Sequence, residues 1–419
     1  MNQNQYNQII SVVHPICCGL DIHKKVISAC LITTDNLGVE HVTIEEFGTF
    51  TEDLYKLRDW LLEHECPIVA MESTGIYWRP VHNIMENYIQ VILVNARSVK
   101  NVPGRKTDIK DSSWLAGLLK HGLLKGSFIP PKDTRQWRDL TRYRQKHVQN
   151  ITEYKQRTQK LLESANIKID SVLSDLFGTS GRNLLDLLIN KKANISLEDI
   201  NSVIDKKVKH KAPELLKSIQ GYFTEHHAFL LNMNLDTINY HQQQINNLEE
   251  RIKAMMSDIE PLVTELDRIP GISEVTARAI LAEIGISLEE FKTSEHLCSW
   301  AGVSPGNNET GGKRKSGRSP VKKHILKTVL VEAAWAAIKT KGSFYKAKYY
   351  RLKSRIGPKK AIIAIAHKIL KVIYNIVKHG QEYKELGEEY LHSQNKKAQK
   401  RNLDKQAAKL GFKLVPVAA

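Results

Sequence analysis

The chain has 419 residues, and its 62 Lys and Arg outnumber its 45 Asp and Glu, which gives a formal net charge of +17. A surplus of positive charge on this scale is typical of proteins that bind a polyanion such as nucleic acid. The hydrophobic fraction of 42% is ordinary for a globular protein and excludes a disordered basic tail, while the length predicts about two or three domains.

The cysteines and the apolar segments indicate the compartment. None of the five cysteines belongs to a CxxC pair, and three lie in strand-like runs, which predicts buried thiols in a reducing compartment and no zinc site. The polar N-terminus lacks a signal sequence, and the most apolar late segments, residues 329–338 and 361–377, are interrupted by charges. We therefore expect a soluble, cytoplasmic protein with no membrane partner.

Residues 1–130 alternate strand-like and helix-like patterns, as an α/β layer does. The predicted strands are residues 16–21, 26–33, 39–45, 68–71 and 89–94. Helical spacing of apolar residues predicts helices over residues 50–62 and 76–88. Three antiparallel strands followed by strands that alternate with helices is the ribonuclease H-like order, so we predict an α/β fold of that class.

Four acidic residues stand where such a domain would expose a carboxylate: Asp21, Glu72, Asp108 and Asp111. Asp21 and Glu72 each end an apolar run, and Asp108 and Asp111 are three residues apart, so on a helix they share one face. Carboxylates placed in this way can hold two hard divalent ions over a phosphodiester. Taken singly, each acid is more simply explained as a helix cap or a solvated charge, but that explanation does not suit all four together.

Residues 131–260 are predicted to contain two long helices, at about residues 139–163 and 226–259. His241 fills one position in the heptad seam of the second helix, and Pro261 is predicted to end it. Two explanations remain open. The helices form a hairpin or coiled coil used for spacing, RNA binding or dimerisation, or they belong to a helical bundle packed within one subunit.

Two stretches of the chain are strongly basic. Residues 132–160 and residues 339–360 each contain nine Lys or Arg, and the second stretch contains no acid. Both are predicted to follow a nucleic-acid backbone, and Arg142, Arg144 and Lys146 are the candidate contacts in the first. A solvated helix face explains either stretch equally well when it is taken alone.

Residues 261–380 are predicted to form a mainly α-helical C-terminal domain, followed by a basic tail over residues 381–419. The run Ile269-Pro270-Gly271 is typical of the turn in a helix-hairpin-helix segment, whose backbone N–H groups bind phosphate, so Gly271 is a candidate contact. Residues 300–318 are predicted to form a loop of glycines, hydroxyls and cations that suits a nucleic-acid backbone. A plain helix–helix turn and a plain basic loop are the alternatives.

Five segments resemble the motifs of one family, the DEDD transposases of the "one-ten" insertion sequences. Three are N-terminal: Gly19-Leu20-Asp21-Ile22-His23-Lys24, Met71-Glu72-Ser73-Thr74-Gly75-Ile76-Tyr77-Trp78 and Lys106-Thr107-Asp108-Ile109-Lys110-Asp111. The C-terminal segments are residues 269–285 and 300–318. The resemblance spans about residues 15–375, and five motifs in the same order are far more specific than any one of them.

The resemblance implies a RuvC-like N-terminal domain in which Asp21, Glu72, Asp108 and Asp111 bind two Mg²⁺ ions, with Mn²⁺ as a substitute. It implies a C-terminal hydroxyl nucleophile that cuts DNA through a covalent link, as serine recombinases do, and then rejoins it. The family is guided by a non-coding bridge RNA that pairs with donor and target DNA. Two subunits share each composite site, so we expect a homo-oligomer, either a dimer or a tetramer, at the bacterial nucleoid.

One position departs from the family pattern. The family usually has a serine before a pair of small residues, whereas this chain has Thr310 before Gly311-Gly312. The extra methyl group of threonine restricts χ1 and crowds an in-line attack on phosphorus, so Ser304 and Ser316 are alternatives, although Thr310 is our candidate. The other predicted phosphate contacts are Arg105, Lys106, Lys313, Arg314, Lys315 and Arg318.

These observations lead to one hypothesis and two alternatives. The hypothesis is a DNA transposase, or site-specific recombinase, that cuts and rejoins DNA through a metal-assisted covalent hydroxyl–phosphate intermediate under the guidance of an RNA. The first alternative is a RuvC-like, structure-selective endonuclease. The second is a catalytically impaired transposase relative that only binds nucleic acid. The four acids favour an enzyme, while Thr310 mildly favours the impaired relative.

Overall fold

A computed structural model describes residues 11–35, 37–73, 75–95, 111–192, 194–306, 308–310, 313–316, 324–413 and 415. The chain divides into two units, unit 1 (Met1–Ile129) and unit 2 (Pro130–Ala419). The further division of unit 2 at residue 260 stays a prediction. In the part of the chain that the structure describes, no helix combines the length and the apolar character that a membrane span needs.

Unit 1 is built around a five-stranded sheet. Its elements are β1 (Ile16–Ile22), β2 (Ile27–Thr34), β3 (Glu40–Phe47), α1 (Thr51–Glu63), β4 (Ile68–Glu72), α2 (Trp78–Met85), β5 (Gln90–Val94) and α3 (Asp111–Lys120). The strand order is β3-β2-β1-β4-β5, in which β1, β2 and β3 are antiparallel and β1, β4 and β5 are parallel. This is the ribonuclease H-like order, and the prediction of fold class is confirmed.

Alternation along the strands divides the core of unit 1 into two layers. Leu20 and Met71 lie on the face that packs against α1 and α2, where Leu57 and Met85 are fully buried. Cys17 and its neighbours lie on the other face, against α3. All five cysteines are buried thiols, as predicted, and burial raises the pKa of Cys17 to about 12.

Unit 2 is mainly helical. Its first half contains α4 (Lys132–Ser164), α5 (Ile169–Val172), α6 (Thr179–Lys191), α7 (Leu197–Val203), a 3₁₀ turn (Lys206–Lys211), α8 (Ala212–Ser218) and α9 (Glu225–Met255). The second half contains α10 (Glu260–Asp267), α11 (Glu274–Ile284), α12 (Ser294–Trp300), β6 (Asn308–Thr310), β7 (Lys313–Ser316), α13 (Ile325–Ala337), α14 (Phe344–Ile356), α15 (Pro358–His379) and α16 (Gly387–Lys409).

The two long helices, α4 and α9, pack against each other within the chain as an antiparallel pair. Arg144 of α4 contacts Glu249 near the end of α9, whereas Leu162 packs in a cluster with Leu231 near its beginning. His241 occupies the seam as predicted, with its Nδ1 atom 2.9 Å from the Nδ1 atom of His147. The helices α5 to α8 complete the apolar cluster between them, so the described contacts support a hairpin packed within one subunit.

The predicted end of the second long helix was wrong. Helix α9 ends at Met255 and is followed by a 3₁₀ turn (Ser257–Ile259), while Pro261 lies in the first turn of α10. Proline is accommodated there because the first helical N–H groups have no partner within the helix. The first long helix also begins earlier than predicted, at Lys132, after an extended Pro131.

Candidate active site

Two of the four predicted acids lie side by side at one end of the sheet of unit 1. The parallel pairing of β1 with β4 joins Leu20 to Met71, and Asp21 and Glu72 are the next residues in each strand. Because Leu20 and Met71 are buried on the α1 and α2 face, strand alternation directs both carboxylates to the α3 face. Both acids are partly exposed, so this pair of carboxylates is open to a ligand.

Helix α3 reaches the same end of the sheet because of a glycine in β1. A Cβ atom at Gly19 would stand 2.2 Å from the carbonyl oxygen of Ser112 and 2.5 Å from the backbone nitrogen of Ala116, so only glycine allows this approach. The hydroxyl of Ser112 is 3.2 Å from that of Ser28, which pairs with Asp21 across the sheet. Asp111, the first residue of α3, is therefore at the same end of the sheet as Asp21 and Glu72.

The structure adds His23 to this group of residues. The Nε2 atom of His23 lies 3.2 Å from Oδ2 of Asp21, and the imidazole is 65% exposed. His23 belongs to the first of the family motifs, and its position two residues after Asp21 was the available signal. Because both side chains are at least partly exposed, Asp21 can give up its contact with the imidazole of His23 when a cation binds to the carboxylate.

The chemistry of this edge fits a hard divalent cation. Asp21, Glu72 and Asp111 offer only carboxylate oxygens, which are the donors that Mg²⁺ and Mn²⁺ prefer. Asp108 lies outside the described residues, together with Arg105 and Lys106. Within the described ranges, no group of three or more His, Cys, Asp or Glu is close enough to hold an ion. The described acids alone therefore do not complete a metal centre.

The predicted nucleophile loop is partly a β-hairpin in the structure. Strand β6 pairs with β7 in an antiparallel register that joins Thr310 to Lys313, with an irregularity at Asn308 and Glu309. The prediction of a loop is corrected for residues 308–310 and 313–316, which form two short paired strands. The side chains of Thr310, Lys313, Arg314, Lys315 and Ser316 lie outside what the structure describes, as does all of Arg318.

The segment that carries this hairpin is held at both ends. Trp300, the last residue of α12, contacts His324 just before α13, with ring centroids 4.4 Å apart. Trp300 also packs against Phe291 at 5.3 Å. The predicted alternative nucleophile Ser304 lies close after Trp300, and its backbone N–H donates to the carbonyl of Cys298. The contact between Trp300 and His324 therefore brings the two ends of residues 301–323 together.

Gly271 adopts φ +84°, and a Cβ atom there would stand 2.3 Å from the carbonyl oxygen of Ala333 and 2.4 Å from the backbone nitrogen of Ala337. The predicted helix-hairpin-helix-like turn thus joins α10 to α11 and packs against the backbone of α13. Glycine is required at this position for that internal contact. A phosphate contact at Gly271 stays a prediction.

Two of the three predicted contacts on α4 have intrachain partners. The Nε and Nη2 atoms of Arg142 donate to the two carboxylate oxygens of Glu283 at 2.8 and 2.9 Å, and Glu283 is only 1% exposed. The hydrogen bond with Glu283 raises the pKa of Arg142. Arg144 donates to Glu249 at 2.7 Å, whereas Lys146 is exposed. Nucleic-acid binding by this group stays a prediction, and charge reversal at Arg142 would also place a second negative charge beside the buried Glu283, which Arg138 contacts as well, at 3.5 Å.

Replacement of Gly19 by alanine should separate α3 from β1. The added methyl group meets backbone atoms rather than a flexible side chain, so we expect a loss of at least about 3 kcal/mol in the free energy of unfolding. Cleavage activity should fall with it because Asp111 moves with α3. Urea unfolding and a DNA cleavage assay measure the two effects.

Gly117→Ala is the matched control, because a Cβ atom at Gly117, also on α3, meets nothing within 4 Å. That variant should be as stable as the parent protein or gain about 0.5–1 kcal/mol. Equal stability of Gly19→Ala and Gly117→Ala would show that the close approach of α3 to β1 is not required.

The sheet order and the carboxylates at its edge place the chain among the ribonuclease H-like proteins, here joined to a mainly helical unit. Two family models match it: an IS110 transposase model of the DEDD type over residues 18–167, and one described as "Transposase IS116/IS110/IS902 family" over residues 263–350. Together they cover more than half of the chain, which belongs to the IS110 family of transposases. The resemblance predicted from the five motifs is confirmed at the level of the family.

Other comparisons are weaker. No curated protein matches the chain. Among solved structures, the crystal structure of Fowlpox virus resolvase in complex with substrate Holliday junction DNA is similar at 17% identity, with a TM-score of 0.18. The match covers 22% of this chain and 65% of the resolvase chain, which is just under two thirds of that protein.

Proposed function

We propose that this protein is a DNA transposase that cuts and rejoins DNA strands through a covalent link between a protein hydroxyl and a DNA phosphate. One observation carries the proposal: Asp21 and Glu72 stand next to each other at one end of the sheet. Because Gly19 has no side chain, the start of α3 can approach that end. The membership of both units in one transposase family supports it.

Asp21, Glu72 and Asp111, together with Asp108, would hold the divalent cations, which we propose to be two Mg²⁺ ions with Mn²⁺ as a substitute. When bound, such ions stabilise negative charge on the attacking and leaving oxygens of a phosphodiester. The protein contributes the position of the carboxylates. Strands β1 and β4 fix Asp21 and Glu72, and the contact of α3 with Gly19 brings Asp111 to the same edge.

Thr310 is the proposed nucleophile. Its Oγ1 atom attacks the scissile phosphorus, a new P–O bond forms to the threonine, and the P–O bond to the leaving DNA oxygen breaks. The hydroxyl proton is released, and the leaving oxygen takes up a proton to become a DNA hydroxyl. Rejoining reverses these steps with a different DNA hydroxyl, so the energy of the phosphodiester is kept and ATP is not required.

The cations around Thr310 would hold the phosphates that flank the cut. Lys313 is the strand partner of Thr310 in the β6–β7 hairpin, so its backbone is next to that of the proposed nucleophile. Further cations follow it in sequence: Arg314, Lys315 and Arg318. We propose that Arg105 and Lys106 hold phosphates in the same way near Asp108. Charge-assisted hydrogen bonds to phosphate are the strongest that these side chains form.

The proposed partners are donor DNA, target DNA, a non-coding bridge RNA and further copies of the chain, as a dimer or tetramer. These follow from the family resemblance of the motifs. A protein with these partners would work at the bacterial nucleoid in the cytoplasm. The α4–α9 hairpin is the proposed site of RNA binding or dimerisation.

A strand-transfer assay tests this function. Purified protein with Mg²⁺, labelled donor and target DNA, and RNA transcribed from the sequence that flanks the reading frame should yield joined strands. Omission of the RNA should abolish the product if guidance is required. Free 5′-phosphate ends with no protein attached would instead show a structure-selective endonuclease, and binding without any cleavage would show an impaired relative.

A further inference from the structure

Unit 2 contains a cavity that the proposed cutting and joining reaction does not use. Its volume is about 290 Å³, which is close to that of the smallest pockets in which proteins bind small molecules. Four helices line it: α4, α9, α11 and α13. Helix α13 contributes Ile325, Val329 and Glu332, which are spaced four and three residues apart and therefore share one face of the helix.

Apolar side chains form much of the wall of this cavity. They come from three of the four helices: Ile252 of α9, Val275 and Ala279 of α11, and Ile325 and Val329 of α13. Ile252 is buried, and the other four are partly exposed. A concave apolar surface favours a ligand with a hydrocarbon body, because contact with that body removes apolar area from water.

One buried donor in the wall has no partner. Arg278 is 5% exposed, and its Nη1 and Nη2 atoms donate to Glu274 at 3.0 Å and to Glu260 at 2.7 Å. In the part of the chain that the structure describes, the Nε–H of Arg278 has no hydrogen-bond partner. A buried donor without an acceptor costs free energy, and an oxygen atom of a bound ligand would remove that cost.

The exposed charges at the opening of the cavity are mainly negative. Glu249 is paired with Arg144 at 2.7 Å, whereas Glu250 and Glu332 are exposed and form no ion pair within the described ranges. Lys253 is the exposed lysine of the wall and is likewise without an ion pair among the described residues. Two such carboxylates against one such lysine leave a net negative charge, which favours a ligand with a positive group.

We infer that this cavity binds a small amphipathic amine that also carries a hydroxyl or carbonyl oxygen. Glu250 and Glu332 hold the ammonium group. The hydrocarbon body lies against Ile252 and Val329, and the oxygen accepts a hydrogen bond from the Nε–H of Arg278. A metal ion has no hydrocarbon body and no acceptor for that donor, and a phosphate group would be repelled by the two carboxylates. The inference therefore concerns a small-molecule site that is separate from the proposed nucleic-acid contacts.

The first test varies the ligand. The probe is leucinol, an amino alcohol with an isobutyl group, and its binding to the full-length protein is measured by saturation-transfer NMR without DNA or metal. We expect saturable binding with a Kd of about 1 mM or lower. Three relatives of leucinol each lack one feature: N-acetyl-leucinol has no charge, isopentylamine has no oxygen, and ethanolamine has no hydrocarbon body. Each should bind at least about fivefold more weakly than leucinol.

The second test varies the protein. Glu250→Gln/Glu332→Gln removes both carboxylates from the opening and should weaken leucinol binding about tenfold. The matched control is Glu289→Gln/Glu290→Gln, which makes the same change of charge at exposed positions of unit 2 outside the cavity and should bind as the parent protein does. Ala279→Leu places a larger side chain in the cavity and should abolish binding. Thermal unfolding verifies that each variant is folded.

The inference is overturned if leucinol shows no saturable binding, because the cavity then holds only water. It is also overturned if leucinol and ethanolamine bind equally, or if the two pairs of Glu→Gln substitutions weaken binding to the same extent, since overall charge alone would then explain it. Folded Ala279→Leu protein that binds as the parent does would place the ligand elsewhere. These measurements use neither DNA nor metal, so their outcome is independent of whether the protein proves to be a transposase.

Discussion

Asp21→Asn and Glu72→Gln proteins should cleave DNA at least about a thousandfold more slowly than the parent protein. Each substitution keeps the shape of the side chain and removes one negative charge that a divalent cation requires, and a loss of about 4 kcal/mol of transition-state stabilisation gives this factor. Nucleic-acid binding should change little, because each substitution alters one residue at the end of the sheet in a chain whose net charge is +17. Cleavage of labelled DNA in Mg²⁺ and binding in EDTA measure the two effects.

Glu45→Gln is the matched control, since Glu45 is an exposed carboxylate on β3 of the same sheet, away from β1 and β4. That variant should cleave at the rate of the parent protein. If Asp21→Asn or Glu72→Gln recombines DNA at a normal rate in Mg²⁺, the proposal that these acids form a metal centre is wrong. If Glu45→Gln is equally impaired, the loss of cleavage reflects damage to the sheet rather than removal of a metal-binding carboxylate.

The second large effect is expected at Thr310. A Thr310→Val protein keeps the branched shape of the side chain but has no hydroxyl, so it should form no covalent adduct with DNA. Thr310→Ser should retain or increase adduct formation, because it keeps the hydroxyl and removes the methyl group that hinders attack. Denaturing electrophoresis of labelled DNA with protein and Mg²⁺ shows the adduct as a slow band that disappears on protease treatment.

Two further variants make this experiment specific. Thr328→Val makes the same chemical change at an exposed threonine of α13 and should leave the adduct in place. Ser316→Ala should also form the adduct, although its binding is expected to weaken. An adduct in Thr310→Val that is absent from Ser316→Ala would move the nucleophile to Ser316. Free 5′-phosphate ends without an adduct in any protein would favour the endonuclease.

The two predictions test different units of the chain. The carboxylates belong to unit 1 and the hydroxyl to unit 2, so a protein that lacks one function can still supply the other. A mixture of Asp21→Asn and Thr310→Val proteins is therefore informative. Recovery of strand transfer in the mixture would support a site composed of two copies of the chain, whereas no recovery would favour a site within one copy.

The sequence alone determined the class of fold and the family. The strand over residues 68–72 was predictable because it is an uninterrupted apolar run that ends in an acid, which is typical of a parallel strand covered on both faces. The same local pattern predicted β1, β2 and β5. The acids in the last residues of β1 and β4 were predictable as a pair because neighbouring parallel strands end on the same side of a sheet. These features depend on residues close together in the chain.

Only the tertiary structure decided which distant residues meet. Gly19 appears in the sequence as one residue of a motif, yet its missing side chain is what allows α3, more than ninety residues later, to contact β1. Arg142 appears as one cation in a basic stretch, but a buried carboxylate at Glu283 pairs with it across 141 positions. Backbone clearance and burial are properties of packed elements, so a periodic pattern along the chain does not contain them.

The end of α9 likewise depends on tertiary packing and not on the local sequence pattern alone. The heptad pattern continues past Met255 to Ile259, and the sequence predicted a helix that long. In the structure, Met256 is fully buried and the chain turns there, so that α10 can begin at Glu260 and Arg278 of α11 can donate to Glu260. Local spacing determined that a helix exists, whereas the packing of the following helices determined where it stops, because burial of Met256 and the pairing of Arg278 favour the turn over another helical repeat.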